Sequence, residues 1–215
     1  MSKETLEIIR GVVVLVPFLV LVFIASRILA AWTNARFRRA LLPLAPFISG
    51  TLHSNGIHGS MTGTFRGRDV EVQATTGTRS LEFPGHSDQK RNLFTIEITG
   101  LTGEQEWGFS HGREVVFGKN HWRLHADDDA LLERLDHTDV ITRIEAMGDL
   151  PVIRFSAARK TLSYIEDILP NLAPLPERFQ KQLDLLELLA QINEQVNSAP
   201  SPSLTWKPTR KNKLL

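Results

Sequence analysis

The densest group of metal-binding residue types in this chain is His121-Trp122-Arg123-Leu124-His125, followed by Asp127, Asp128 and Asp129. On a strand, side chains four apart face the same way. Two imidazoles and a carboxylate could then hold a divalent transition metal. The same alternation puts Trp122 and Leu124 on the opposite face, which is the pattern of a strand with its apolar side inward and its imidazoles in water. The three aspartates stand where a helix start wants acids, before Ala130 to Leu135. His121 and His125 are therefore weak metal candidates, and no metal or cofactor is expected. His53 and His58 lie in a Gly/Ser-rich stretch and His86 in a later loop, with no haem-attachment motif beside them.

Other chemistries find less support. The chain has no cysteine, which excludes disulfides, zinc–thiolate sites, iron–sulfur clusters and thiol catalysis. There is no Gly-x-Ser-x-Gly elbow, P-loop or Gly-x-Gly-x-x-Gly fingerprint. Gly59, Gly63 and Gly67 are evenly spaced, but they fall on an expected hairpin, so they signal turns and close packing. No catalytic residue is assigned, and the chain is not expected to be an enzyme.

The most informative pattern is apolar. Gly11 to Ser26 is an unbroken apolar run, and only Arg27 interrupts its extension to Ala31. As helix, residues 11–31 would extend about 31 Å, close to the hydrocarbon thickness of a bilayer. Pro17 would break a soluble helix, whereas in lipid neighbouring groups can satisfy the carbonyl it frees. Arg27 is near enough to the end to snorkel, and Trp32 sits where an interfacial aromatic belongs. Glu4 and Glu7 before the run, its length and the lack of an Ala-x-Ala site argue against a cleaved signal peptide.

Charge divides the chain as well. The formal net charge is only +1, yet residues 1–39 carry +4, 40–196 carry −7 and 197–215 carry +4. An acidic globule is a poor match for polyanions, so nucleic acid is not an expected partner. The basic ends suit anionic headgroups, so membrane lipid is. Arg36, Arg38 and Arg39 after the span outweigh Lys3 and Arg10 before it, which are offset by two glutamates. The positive-inside rule then places the following domain in the cytoplasm of a cell with this inner-membrane anchor.

The elements that follow divide the chain into an N-terminal flank (1–10), a transmembrane helix (11–32), a juxtamembrane segment and connector (33–60), a soluble domain (61–196) and a basic Pro/Ser-rich tail (197–215). Ala35 to Phe47 continues the helix briefly and then runs along the headgroup zone, and Ser49 to Ser60 is a connector. From Met61 the apolar period becomes two. Met61–Phe65 and Asp69–Ala74 are strands joined by a turn at Arg66-Gly67-Arg68. Thr76 to Gln89 is a loop. Leu93–Ile98, Trp107–Phe109, Glu114–Phe117 and Trp122–Leu124 are further strands of an antiparallel meander. Val140–Ala146 and Pro151–Phe155 read as strands, and Ser156 as the N-cap of a helix running to Leu169. Pro176 opens a last helix with two apolar stripes, Phe179/Leu183/Leu186 and Leu185/Leu189/Ile192/Val196, wide enough to pack on the sheet. The expected fold class is α+β: one N-terminal transmembrane helix, then a mostly antiparallel sheet with two to three helices packed on it. With its single span, the Gly63-Thr-Phe-Arg-Gly-Arg-Asp-Val-Glu-Val72 hairpin resembles single-pass bacterial membrane proteins, a likeness that implies no activity and transfers no functional residue.

These features point to a non-catalytic accessory or scaffolding subunit of a larger membrane complex, of respiratory, photosynthetic or secretion type. A membrane-tethered ligand-binding or sensing module is the alternative, and an enzyme of unknown class the third. Contacts to lipid or to other subunits are expected from Arg36, Arg38 and Arg39, and from Trp206, Lys207, Arg210, Lys211 and Lys213 in the tail, where an aromatic anchor stands among cations without an acid.

Overall fold

The structure, a computed structural model, describes residues 3–54, 58–77, 91–113, 120–126, 140–147, 151–168 and 170–198. The first element, α1 (Lys3–Leu41), is one continuous helix that carries Pro17 inside it. It gives way to a 3-10 helix, Leu42–Ile48. Pro43 and Pro46 explain the change, because each lacks an N–H and crowds the preceding turn. Ser49, in the left-handed region at φ 48°, ends the element, and the Gly50 N–H donates to the Ala45 carbonyl.

Eight antiparallel strands follow: β1 (Thr51–Ser54), β2 (His58–Phe65), β3 (Arg68–Gly77), β4 (Arg91–Ile98), β5 (Trp107–Arg113), β6 (Asn120–Ala126), β7 (Val152–Ser156) and β8 (Thr161–Asp167). They form one sheet in the order β1-β2-β3-β4-β8-β7-β5-β6. The helices after the span are α2 (Val140–Ala146) and α3 (Pro176–Ser198). The chain is thus α+β, as its periodicities predict. Gly67, at φ 83°, makes the tight β2–β3 turn. Val70, Val72 and Ala74 bury one face of β3, and Phe94, Ile96 and Ile98 continue that face on β4. Both stripes of α3 are buried through Ile192, so the helix packs on its own sheet.

Four expectations need correction. Val140–Ala146 is a helix, not a strand: Val140 and Ile144, four apart, are both buried while Thr142, Arg143 and Glu145 are exposed. Ser156 does not cap a helix. It ends β7, and a turn with Lys160 at φ 51° leads into β8. Thr161 to Tyr164 are buried consecutively, as in a strand covered on both faces, and Thr, Tyr and Ile suit such a strand. The expected connector at Ser49–Ser60 contains β1 and the start of β2. Residues 35–47 are not a purely juxtamembrane segment, because Phe37, Leu41 and Leu44 enter the core. The proposed strand at Glu114–Phe117, the Asp127–Asp129 cap with its helix, and the Thr76–Gln89 loop beyond Gly77 lie outside the described residues.

Candidate membrane-attachment site

Among the described residues, one helix is long and apolar enough to cross a membrane, with an 18-residue stretch of mean hydropathy 2.2 that is wholly unburied. Phe18, Leu19, Leu21, Phe23, Ile28 and Leu29 project on all sides, each more than half exposed. The polar side chains are satisfied within the helix. Ser26 Oγ donates to the Phe23 carbonyl at 2.7 Å and Thr33 Oγ1 to the Leu29 carbonyl at 2.7 Å. Arg27 lies over the Phe23 ring at 5.8 Å. Arg36 lies over Trp32 at 6.0 Å, a cation–aromatic pair that belongs at a membrane interface. Arg36, Arg38 and Arg39 are all exposed.

One turn further the same helix is interior. Phe37, Leu41, Leu44 and Ile48 are buried, at spacings of four, three and four residues, so a single stripe runs through α1 and the 3-10 helix into the core. Glycine makes this approach possible. A Cβ on Gly59 would lie 2.8 Å from Phe37 Cβ and 3.0 Å from Leu41 Cδ1. A Cβ on Gly63 would collide with the Ile48 carbonyl and with Gly50. These are close-packing glycines, as their spacing on the hairpin suggested. The apolar helix therefore connects to the domain without a flexible linker.

Helix α3 closes the core over this junction. Phe179 meets Phe47 of the 3-10 helix and Phe94 of β4 edge-on, at 6.1 and 6.0 Å. Beside it is a buried polar cluster. Glu166, 1% exposed, accepts from Arg178 Nη2 at 2.7 Å, Gln182 Nε2 at 2.7 Å and the Tyr164 hydroxyl at 3.1 Å. Arg178 also donates to the Met147 carbonyl, which ties α2 to α3. Burial, then the Glu166 carboxylate, push the Tyr164 phenol well above its ordinary range, so it stays protonated and keeps donating. Gln182 Oε1 finds no donor, so the cluster fixes geometry at some cost in desolvation.

A second cluster holds the other end of α3. Arg68 donates to Glu187 at 2.8 Å and, through both terminal nitrogens, to Glu194 at 2.7 Å. The bidentate bond to Glu194 raises the Arg68 pKa and lowers that of Glu194. Arg66, more exposed than Arg68, pairs with Asp184 at 2.6 Å. Trp107 Nε1 donates to Asn193 Oδ1 at 2.8 Å, which joins α3 to β5. Sequence reasoning did not assign these residues. A usable signal existed: Asp184, Glu187, Gln191 and Glu194 form a stripe at spacings of three, four and three residues, opposite two arginines in a hairpin turn.

An open cleft of about 330 Å³ is lined by Arg66, Arg143, Asp184, Glu187, Leu188 and Gln191. Its walls are charged and polar, unlike the apolar concavities that hold most small ligands. Among the described residues no three His, Asp or Glu side chains are grouped to hold a metal ion. β6 places residues 121 and 125 at positions of equal parity, paired with Gly112 and Gly108; the side chains of His121 and His125 lie outside the described residues, as do Trp206, Lys207, Arg210, Lys211 and Lys213. No protein-family model matches the chain, and no curated protein matches it.

Proposed function

We propose that this protein is a non-catalytic accessory or scaffolding subunit of a larger membrane complex, of respiratory, photosynthetic or secretion type, in a bacterial inner membrane. The observation that supports this reading is the seat of α1. A module that searches for ligands benefits from a flexible tether. Here the span runs into the core as one helix, so the domain is held at a set height and rotation above the bilayer, as a positioning subunit requires. The polar, open cleft on α3 argues for the same choice over a ligand-binding module.

Gentle detergent extraction with affinity capture and mass spectrometry tests the proposal. A defined set of membrane subunits should co-purify in constant ratio. Inserting Gly-Ser-Gly-Ser between Asn34 and Ala35 should release them while the domain stays folded, and deleting residues 199–215 should weaken the association through loss of Trp206 and the tail cations. A chain that is recovered alone, with or without the insertion, would overturn the reading. The domain's side of the membrane follows from Arg36, Arg38 and Arg39. A cysteine at exposed Asp69, in a chain without native thiols, should resist an impermeant maleimide in intact cells and react after lysis.

A further inference from the structure

Outside the span, only two large apolar side chains among the described residues are exposed: Leu42, at 55%, and Leu175, at 77%. Solitary exposed leucines are ordinary. Leu175 is distinguished by where the fold puts it.

The sheet has an end against which α1 docks. Phe37 and Leu41 pack on Gly59, and Ile48 lies against Gly50 and Gly63. Four residues of β2 cover about 13 Å, and the 3-10 helix between Leu41 and Ile48 covers about 14 Å. The helical stripe therefore runs alongside β2 in the same direction, with the bilayer beyond the His58 end. Register carries that level across the sheet: Gly59 is opposite Ala74, Ala74 opposite Phe94, and Phe94 opposite Glu166. Trp32 lies five residues before Phe37, about 7.5 Å toward the membrane. Asn92 lies two residues beyond the Phe94 row in the same sense, about 7 Å. The β4 start and the turn after β8 thus reach the level of the interfacial tryptophan.

Leu175 is presented from that turn. The Ile168 N–H donates to the Asn92 carbonyl at 2.9 Å, and buried Asn92 Nδ2 donates to the carbonyls of Pro170 and Asn171 at 3.2 and 2.6 Å. Leu172 is buried beneath the turn. Pro174 and Pro176 fix the backbone on either side of Leu175, whose carbonyl accepts the first bond of α3 from Phe179. Leu42 is adjacent to Leu41, at the Gly59 level, beside the exposed Arg38 and Arg39.

We infer that this end of the domain is a second membrane contact, in which Leu175 enters the headgroup region at the level of Trp32 while Arg36, Arg38 and Arg39 meet lipid phosphates. The occupant is the bilayer itself because the surface continues the lipid-facing surface of α1, and its charge is complementary to anionic headgroups. The domain rests on the membrane along one edge. This inference needs α1 to span a bilayer but not the scaffold reading.

The test uses the full chain, reconstituted in phosphatidylcholine–phosphatidylglycerol vesicles, with a single spin label at Leu29→Cys, Leu42→Cys, Leu175→Cys or Asp69→Cys. Power saturation compares collisions with oxygen, which concentrates in lipid, and with a water-soluble nickel chelate. Position 175 should show an oxygen-to-nickel ratio several-fold above position 69 and approaching position 29, while position 42, about 15 Å beyond Trp32 along the helix, should fall well below position 175. A ratio at 175 equal to that at 69 would overturn the inference. Low collision with both reagents would mean that protein covers the leucine, and would overturn the lipid assignment. A water-exposed label at 29 would remove the span on which it rests.

Discussion

The two long helices of this protein meet the same core in opposite ways. Helix α1 is apolar all round from Gly11 to Ser26 and meets the core through Phe37, Ala40 and Leu41. Helix α3 is apolar over one wide face and nearly every turn is buried, with its charges paired to the sheet. The difference shows what apolarity means in each. On α1 it matches a lipid solvent, and position is set by a short, rigid insertion. On α3 it closes a core, and position is set by polar clusters at both ends of the helix.

The largest effect should come from removing the insertion. Phe37→Ala empties a buried site between α1 and Gly59 and should cost about 3–5 kcal/mol of domain stability, measured by denaturant unfolding in detergent. A loss below about 1 kcal/mol would mean that α1 is only draped on the sheet. Gly59→Val should be comparably damaging from the other side, because its side chain would need the space of Phe37.

Next comes the buried clamp on α3. Glu166→Ala leaves the Arg178 guanidinium, the Gln182 amide and the Tyr164 hydroxyl without their shared acceptor and should cost about 3 kcal/mol. Glu166→Gln should recover only part of this, since an amide nitrogen cannot accept. If alanine were harmless, the cluster would not hold the helix.

The outer clamp should be weaker and pH-dependent. Arg68→Ala should cost about 2 kcal/mol, since Glu187 keeps Gln191 as a donor. Pairing holds the folded Glu194 pKa below its ordinary 4.5. Its contribution is therefore complete above that value and fades as pH falls toward the depressed folded pKa. Unfolding between pH 6 and roughly pH 3 should show an acid-side loss that Arg68→Ala reduces. Smallest of all, Arg66→Ala at the exposed Asp184 pair should change stability by at most about 0.5 kcal/mol, and less at high salt.

Much of this comparison is legible in the residues. An apolar run with Pro17 inside it, a basic collar and Trp32 announce a helix long and apolar enough to cross a membrane without any tertiary information. The alternation at Val70–Ala74 and Phe94–Ile98, the turn at Arg66–Arg68 and the double stripe of α3 are equally local. Where local signals compete, they mislead. Val140–Ala146 satisfies both a two-residue and a four-residue period, and only its neighbour α3 selects the helix. Ser156 and Pro170 frame a plausible helix, yet residues 161–167 complete the sheet between β4 and β7.

The amino-acid sequence by itself determined an N-terminal helix long and apolar enough to cross a membrane, the α+β class and the packing face of the last helix, because these depend on periodicity and transfer to an apolar phase. Tertiary structure alone decided that this helix continues into the core, that Gly59 and Gly63 admit it, and that Glu166 collects three donors from β8 and α3. It also decided that the turn before Leu175 is tied to Asn92 at the start of β4. Such placements join residues far apart in the chain, and strand register and helix docking, to which no single segment is sensitive, bring them together.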